Sequence, residues 1–151
     1  MDSPIDGVVV VPLQRIADDR GCVFHMLKST DAHFVGFGEV YFSSVYPGIV
    51  KGWKRHRRAT ANYACIFGRV RVALYDDRAA SRTRGNVMEV VLGPDEYSLV
   101  VIPPGIWHGF QGVCHPAAVL ANCASEPNDP SEIDRLESAT DGIPYEWREF
   151  K

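Results

Sequence analysis

Apolar residues recur at every second position in several short segments of this chain, which is the pattern of β-strands with one buried face. In the clearest segment, Val70, Val72 and Leu74 alternate with arginine or alanine before an acidic turn. Further strands, separated by turn signals, are predicted at residues 39–46, 49–56, 61–67, 87–92, 99–102 and 118–123. Many short strands with regular turns predict an all-β sandwich or barrel.

One segment near the end of the chain departs from this pattern. Residues 130–138 have helical character, with Asp129 or Ser131 available as a cap and with Ile133 and Leu136 on one face. We therefore expect the all-β fold to carry a short C-terminal helical segment.

Composition limits the location and the partners of the protein. A formal net charge of −3 at pH 7 argues against nucleic acid or an anionic membrane as the main partner. No segment approaches the roughly 20 apolar residues of a membrane helix. The apolar run at residues 8–11 is too short for a secretory signal, and the four cysteines lack C-x-x-C spacing. A single domain, residues 1–151, in a reducing cytoplasm is expected.

Two segments have the spacing of the metal-binding motifs of cupin barrels, and the chain resembles that superfamily. The first, at residues 48–68, keeps His56 but has Lys54 and Ala61 where cupins place a histidine and a glutamate. The second, P-x-G-x-x-H, is intact and ends at His108. The resemblance implies a cupin jelly-roll barrel. Because only two of the four metal ligands remain, neither a metal nor another cofactor is expected.

Strand alternation predicts which of these residues meet. Lys54 and His56 should project to one side of their strand, and Arg55 and Arg57 to the other. In the cupin register, the barrel mouth is expected to be lined by Lys54, His56, Ala61, Tyr63 and His108.

Four segments together resemble a narrower family, the dTDP-4-dehydrorhamnose 3,5-epimerases, which are metal-free cupin-fold enzymes of deoxysugar nucleotide biosynthesis. They are Asp18–Gly21 (family D-x-R-G), Gly48–Lys54 (G-V-L-R-G-L-H), Tyr75–Ser81 (V-D-x-R-x-x-S) and Ile102–Phe110 (I-P-x-G-x-A-H-G-F). The resemblance implies a homodimer that acts on a small molecule, a nucleotide sugar. It also implies that Arg20 contacts the nucleotide diphosphate, that His108 binds substrate, and that Lys51 replaces a binding arginine.

The departures from this family fall on its catalytic positions. Lys54 stands where the family has its general-base histidine, and Ala61 where it has a pocket lysine. The family's tyrosine acid, thirteen residues after the H-G-F histidine, corresponds to Ala121 by count. The aspartate that partners the family's histidine has no counterpart before the last residue, Lys151.

Epimerisation beside a ketone needs a base, an acid on the opposite face and a group that stabilises the enolate oxygen. Lys54 is a candidate base if its pKa is lowered; the alternatives are a cation beside the enolate, or a phosphate or carboxylate ligand. His56 is a candidate acid or base, or else a structural histidine. Tyr63 is a candidate acid, or else a packing residue. Arg57 and Arg58 fit either a diphosphate or a solvated hairpin.

The leading hypothesis is an epimerase or isomerase that abstracts a proton next to the ketone of a 4-keto-deoxysugar nucleotide, at one carbon only. Two alternatives stay open. One is a non-catalytic cupin that binds a sugar nucleotide, and the other is an isomerase or cyclase acting on a carbonyl compound that is not a nucleotide.

Overall fold

The computed structural model describes residues 3–151, and almost all of its regular structure is β-strand. The strands are β1 Val9–Pro12, β2 Arg15–Asp18, β3 Gly21–Phe24, β4 Glu39–Val45, β5 Val50–His56, β6 Ala61–Phe67, β7 Val70–Asp76, β8 Val87–Leu92, β9 Ser98–Ile102, β10 Ile106–Gly112, β11 Ala118–Ala124 and β12 Ile133–Arg135. No helix in this part of the chain is long and apolar enough to cross a membrane.

Two five-stranded sheets face each other and enclose the core. The first sheet has the order β1-β9-β6-β11-β4 and the second β12-β5-β10-β7-β8, while β2 and β3 form a separate hairpin. Every pairing between these strands is antiparallel. Val70, Val72 and Leu74 from the second sheet pack against residues such as Val100 and Leu120 from the first. The predicted all-β barrel is confirmed.

Each strand predicted from the alternating pattern is present. The strands β1, β2, β3, β10 and β12 were not predicted, and of these β10 carries His108. All seven of its residues are buried, so no alternation of polar and apolar positions marks it. Where β10 crosses β5, a Cβ on Gly52 would lie only 2.8 Å from the Cα of Gly109. The two glycines therefore allow the backbones to approach closely, next to a shift in register between His108 and Phe110.

The predicted C-terminal helical segment is reduced to a single turn. A 3₁₀ turn covers only Pro130–Glu132, and the Asp129 side chain caps it by accepting the Ser131 N–H at 3.0 Å. The expectation of helix beyond residue 132 was wrong, because residues 133–135 form β12. Pairing with the free edge of β5 satisfies the backbone groups of this segment and brings Glu132 against that strand.

Candidate active site

A cavity of about 600 Å³ opens between the two sheets at one end of the barrel. Its polar lining includes Tyr41, Lys54, Tyr63, His108, Asn122 and Arg135. An adjoining cavity of about 360 Å³ shares four lining residues with it, and is also lined by His56 and Glu132. As the alternation along β5 predicts, Lys54 and His56 both line the smaller cavity and Arg55 and Arg57 do not, although His56 also borders the surface that the two arginines line.

His56 is held by a carboxylate that the sequence reasoning missed. Its Nδ1 lies 2.5 Å from Oε1 of Glu132, which is only 2% exposed. The other oxygen of Glu132 accepts the backbone N–H groups of Arg57 and Arg58, each at 2.9 Å. The residues are 76 positions apart, and nothing in a capped turn after β11 marks Glu132 as a partner for β5.

The protonation of this pair follows from its surroundings. Burial lowers the pKa of His56, and the bond to Glu132 does not fully offset it. Burial raises the pKa of Glu132, but backbone N–H donors and His56 outweigh it, so the net pKa is lowered. At neutral pH the pair is a carboxylate and a neutral imidazole, so the Nδ1–H donates to Glu132. Nε2 then carries the lone pair of a general base and makes no hydrogen bond within residues 3–151.

His108 is a second neutral imidazole, parallel to the first. The two rings lie 5.8 Å apart between centroids, at an angle of 20°. The Nδ1–H of His108 donates to the carbonyl of Ile106 at 3.0 Å, and burial lowers the His108 pKa to about 3. Its Nε2 is buried without a partner among the described residues. His108 therefore presents a hydrogen-bond acceptor to the cavity.

Lys54 lies beside two tyrosine hydroxyls. Burial opposes its charge, but Tyr63 and Tyr41 outweigh that effect, so the net pKa of Lys54 is raised. Its Nζ donates to the Tyr41 Oη at 3.3 Å. This direction is the reverse of the lowered pKa that a general base would need, and it favours Lys54 as a cation.

Tyr63 lies deeper in the cavity and packs as an aromatic residue. It is 1% exposed and meets the rings of His108 and Phe110 edge-on at 5.6 and 6.0 Å. Burial raises its pKa to about 12. Ala61, also 1% exposed, belongs to the same cluster of buried apolar residues as Tyr63, and its side chain offers no polar atom.

The cations predicted to bind substrate are placed in two ways. Lys51 lines the larger cavity, where its Nζ donates to Ser43 Oγ at 2.9 Å and to the Ser44 carbonyl at 2.7 Å. Arg20 lies at the β2–β3 turn, with its side chain 86% exposed and paired with Asp18. It is not among the residues that line the cavity.

Arg57 and Arg58 lie outside the cavity as well, and carboxylates of the chain neutralise both. Their partners are Asp134 at 2.7 Å and Asp129 at 2.9 Å. By contrast, no carboxylate within residues 3–151 forms an ion pair with the cavity-lining Lys51, Lys54 or Arg135. In the recess formed by the two adjoining cavities, these three cations outnumber Glu137, the one carboxylate among the described residues that lines the larger cavity, and none of them is held by an ion pair within that part of the chain.

Nearly the whole chain matches one protein family. The family model described as dTDP-4-dehydrorhamnose 3,5-epimerase matches residues 2–149. The chain belongs to this family.

Two relatives extend the comparison of sequences. A probable low-salt glycan biosynthesis epimerase of Haloferax volcanii is 34% identical over 144 residues, 94% of this chain and 89% of the relative. A spore coat polysaccharide biosynthesis protein of Bacillus subtilis is 29% identical over 150 residues, 97% of this chain and 99% of the relative.

Solved structures confirm the cupin jelly roll. A dTDP sugar isomerase from Desulfovibrio desulfuricans has a TM-score of 0.92 at 40% identity, covering 95% of this chain and 92% of that one. A 4-keto-6-deoxy sugar epimerase from Streptomyces spheroides has a TM-score of 0.86 at 21% identity, covering 95% and 75%. The chain is thus similar to dTDP-sugar epimerases and isomerases over nearly its full length.

Ala121, the residue that corresponds by count to the acid of this epimerase family, faces away from the cavity. Ala121 pairs with Ala64 and Phe42, on the outer face of the first sheet. The inward residues of β11 are its neighbours Leu120 and Asn122, which line the cavity. The amide of Asn122 therefore lies next to the position to which the family's tyrosine was assigned. The recess also contains two tyrosines, Tyr41 on β4 and Tyr63 on β6.

Proposed function

We propose that this protein is a metal-independent, one-site epimerase of 4-keto-deoxysugar nucleotides. The observation that carries the proposal is the His56–Glu132 pair, which leaves an unprotonated Nε2 in a recess where Lys54 supplies a positive charge. The general base moves by two positions along β5 relative to the family pattern, and Glu132 replaces the family's C-terminal aspartate.

The chemistry runs through an enolate. His56 Nε2 removes a proton from a carbon next to the ketone, and the electron pair of the C–H bond moves towards the carbonyl oxygen. The ammonium of Lys54 stabilises the oxygen as its negative charge develops. Glu132 touches no substrate; it fixes the tautomer of His56 and stabilises the imidazolium. The Nε2 of His108 accepts a hydrogen bond from a sugar hydroxyl.

The same recess suits a nucleoside diphosphate. The ammonium of Lys51 and the guanidinium of Arg135 have no carboxylate partners within the described chain, so phosphate oxygens can take that place. Relatives of lower identity support this ligand class, since one structure is of a complex with dTDP-4-keto-L-rhamnose and another with dTDP. Contacts of Arg20, Arg57 and Arg58 with the nucleotide stay predictions, and the last two would first have to release their carboxylates.

We also propose that the protein is a homodimer of the cytoplasm. The outer surface at β4 exposes Val40, Phe42 and the preceding Phe37 at 51%, 63% and 67%, an apolar patch that a second copy would cover. Light scattering should then give twice the chain mass of 16.8 kDa, and Phe42→Glu should reduce the measured mass to that of a single chain. The cytoplasmic location stays a prediction from the sequence.

The decisive test is solvent exchange. In D₂O, a dTDP-4-keto-6-deoxyhexose should gain deuterium at one carbon beside the ketone, which NMR measures. His56→Ala should abolish this gain. Exchange at neither carbon across several nucleotide sugars would favour the non-catalytic binding protein. Exchange that persists in both His56→Ala and Lys54→Ala would show that the reaction occurs elsewhere.

A further inference from the structure

Tyr41 lies in the recess at a point where no sequence pattern marked it. It is on β4, directly opposite Asn122 of β11 in the strand register. It lines both the larger cavity, with Tyr63 and His108, and the smaller one, with His56. Tyr41 is therefore close to the reacting groups, although it comes from the edge strand of the first sheet.

The hydrogen bonds of Tyr41 leave its own proton unused. Its Oη accepts from the Asn122 Nδ2 at 3.0 Å and from the Lys54 Nζ at 3.3 Å. The orientation of the Asn122 amide is fixed, since its Oδ1 accepts the backbone N–H of Asn62 at 3.0 Å. An ammonium and an amide NH₂ are donors only, so neither can take the hydroxyl proton. No other acceptor for this proton lies within residues 3–151, and the O–H is free to point at a ligand.

Tyr41 and His56 belong to opposite walls of the barrel. Tyr41 comes from β4 of the first sheet, and His56 from β5 of the second. Inversion at a carbon requires that the proton leaves from one face of the planar enolate and returns to the other. A base on one wall and an acid on the facing wall meet that requirement for a sugar ring bound between them.

We propose that Tyr41 is the catalytic acid that returns a proton to the face of the substrate opposite His56. This inference rests on the proposed function. His56 Nε2 takes the proton from carbon, and an enolate forms. Tyr41 then gives its hydroxyl proton to the other face of the same carbon as the C=C electron pair forms the new C–H bond and the ketone is restored. The tyrosinate is stabilised by Lys54 and Asn122, and it regains a proton from solvent while His56 releases one.

Tyr63 is the other tyrosine of the cavity and is less well placed for this role. It also comes from the first sheet, but it is nearly fully buried and packs edge-on against His108 and Phe110. Lys54 lies near both hydroxyls, but the amide of Asn122 donates to Tyr41 alone, so a tyrosinate at Tyr41 has a second donor that Tyr63 lacks among the described side chains.

The test separates proton removal from inversion. The wild-type protein and Tyr41→Phe are incubated in D₂O with a dTDP-4-keto-6-deoxyhexose, and NMR measures both deuterium in recovered substrate and the inverted product. Tyr41→Phe removes one hydroxyl from a residue that is 36% exposed, so it should fold. Formation of inverted product should fall about 100-fold or more, the usual contribution of a general acid. Exchange with retention uses His56 and Lys54 but not the proton of Tyr41, so it should fall by a much smaller factor.

Two comparisons make the outcome interpretable. Tyr46→Phe, the same substitution at a residue that is 70% exposed and outside the cavity, should leave both quantities unchanged. Tyr63→Phe should keep the wild-type ratio of inversion to exchange. Tyr41→Phe that still inverts at the wild-type rate, or that loses exchange and inversion by the same factor, would overturn the role of Tyr41. Wild-type protein that exchanges at neither carbon would instead overturn the proposed function itself.

Discussion

The imidazole of His56 and the carboxylate of Glu132 are 2.5 Å apart, although 76 positions separate them in the chain. The carboxylate is buried, and its second oxygen is held by the backbone N–H groups that follow β5. It cannot turn away from the ring without leaving those donors unpaired. The pair therefore sets the tautomer of His56, and this consequence can be tested.

Glu132→Gln should inactivate the protein while leaving it folded. The three backbone N–H groups that now meet Oε2 would retain the amide oxygen, so the NH₂ would face Nδ1 of His56. Nδ1 would have to accept and Nε2 would carry the proton, which removes the base. Deuterium exchange should fall about 10²-fold to 10⁴-fold. Glu89→Gln, a matched change at a carboxylate bound to Tyr145 and Arg148, should keep full activity. Equal activity in both variants would contradict the tautomer argument.

Lys54→Met should both weaken catalysis and move its pH dependence. The base is the neutral form of His56, so exchange should be lost as pH falls through a pKa that lies below the usual histidine value of 6.5. Because the charge of Lys54 helps to lower that pKa, its removal should shift the acid limb to higher pH. The rate at the plateau should also drop, since the enolate loses its cation. A pH profile of exchange measures both, and a shift to lower pH would contradict this electrostatic assignment.

Acid should destabilise the fold through His108 before the carboxylates titrate. Its pKa is lowered from 6.5 to about 3, so the unfolded chain binds the proton more tightly. Stability is then lost as pH falls below the unfolded pKa, by about 2 kcal/mol between pH 6.5 and 5. Urea unfolding at several pH values gives this slope. His108→Asn should flatten it, and a variant with the wild-type slope would exclude His108 as the source.

Phosphate binding should depend on the unpaired cations of the recess. Charge-assisted hydrogen bonds contribute about 1.5 to 3 kcal/mol, so Lys51→Ala or Arg135→Ala should each weaken dTDP binding about tenfold or more. The sequence predicts the same loss for Arg20→Ala. Arg82→Ala removes an arginine that is 82% exposed and paired with Asp6, and it is the matched control. Calorimetry with dTDP that finds Lys51→Ala, Arg135→Ala and Arg20→Ala all equal to the wild type would place the nucleotide elsewhere.

The purified protein should hold no stoichiometric transition metal. At the positions of the two cupin motifs, His56 and His108 are imidazoles, Lys54 is a cation and Ala61 has no ligand atom. The described residues bring no three His, Cys, Asp or Glu side chains together as a metal site. Two nitrogen ligands beside an ammonium are too few for a catalytic metal. Elemental analysis after dialysis should therefore find far less than one metal per chain.

The sequence by itself determined the class of fold and the interior face of β5. Alternation is a local property, so Val70, Val72 and Leu74 mark a buried face, and Lys54 and His56 share one side of a strand whatever lies across from them. The spacing of the second cupin motif also predicted that His108 lies in the same barrel, because that spacing preserves the order of the turns.

Only the tertiary structure decided which groups complete the site. Glu132 reaches His56 because β12 adds to the free edge of β5, and Tyr41 reaches Lys54 because β4 closes the facing sheet beside Asn122. Arg57 and Arg58 were assigned to substrate by charge, but carboxylates distant in sequence neutralise them. Strand pairing over long sequence distances brings these partners together, and burial shifts the pKa of each group. Neither effect is encoded in the spacing of neighbouring residues.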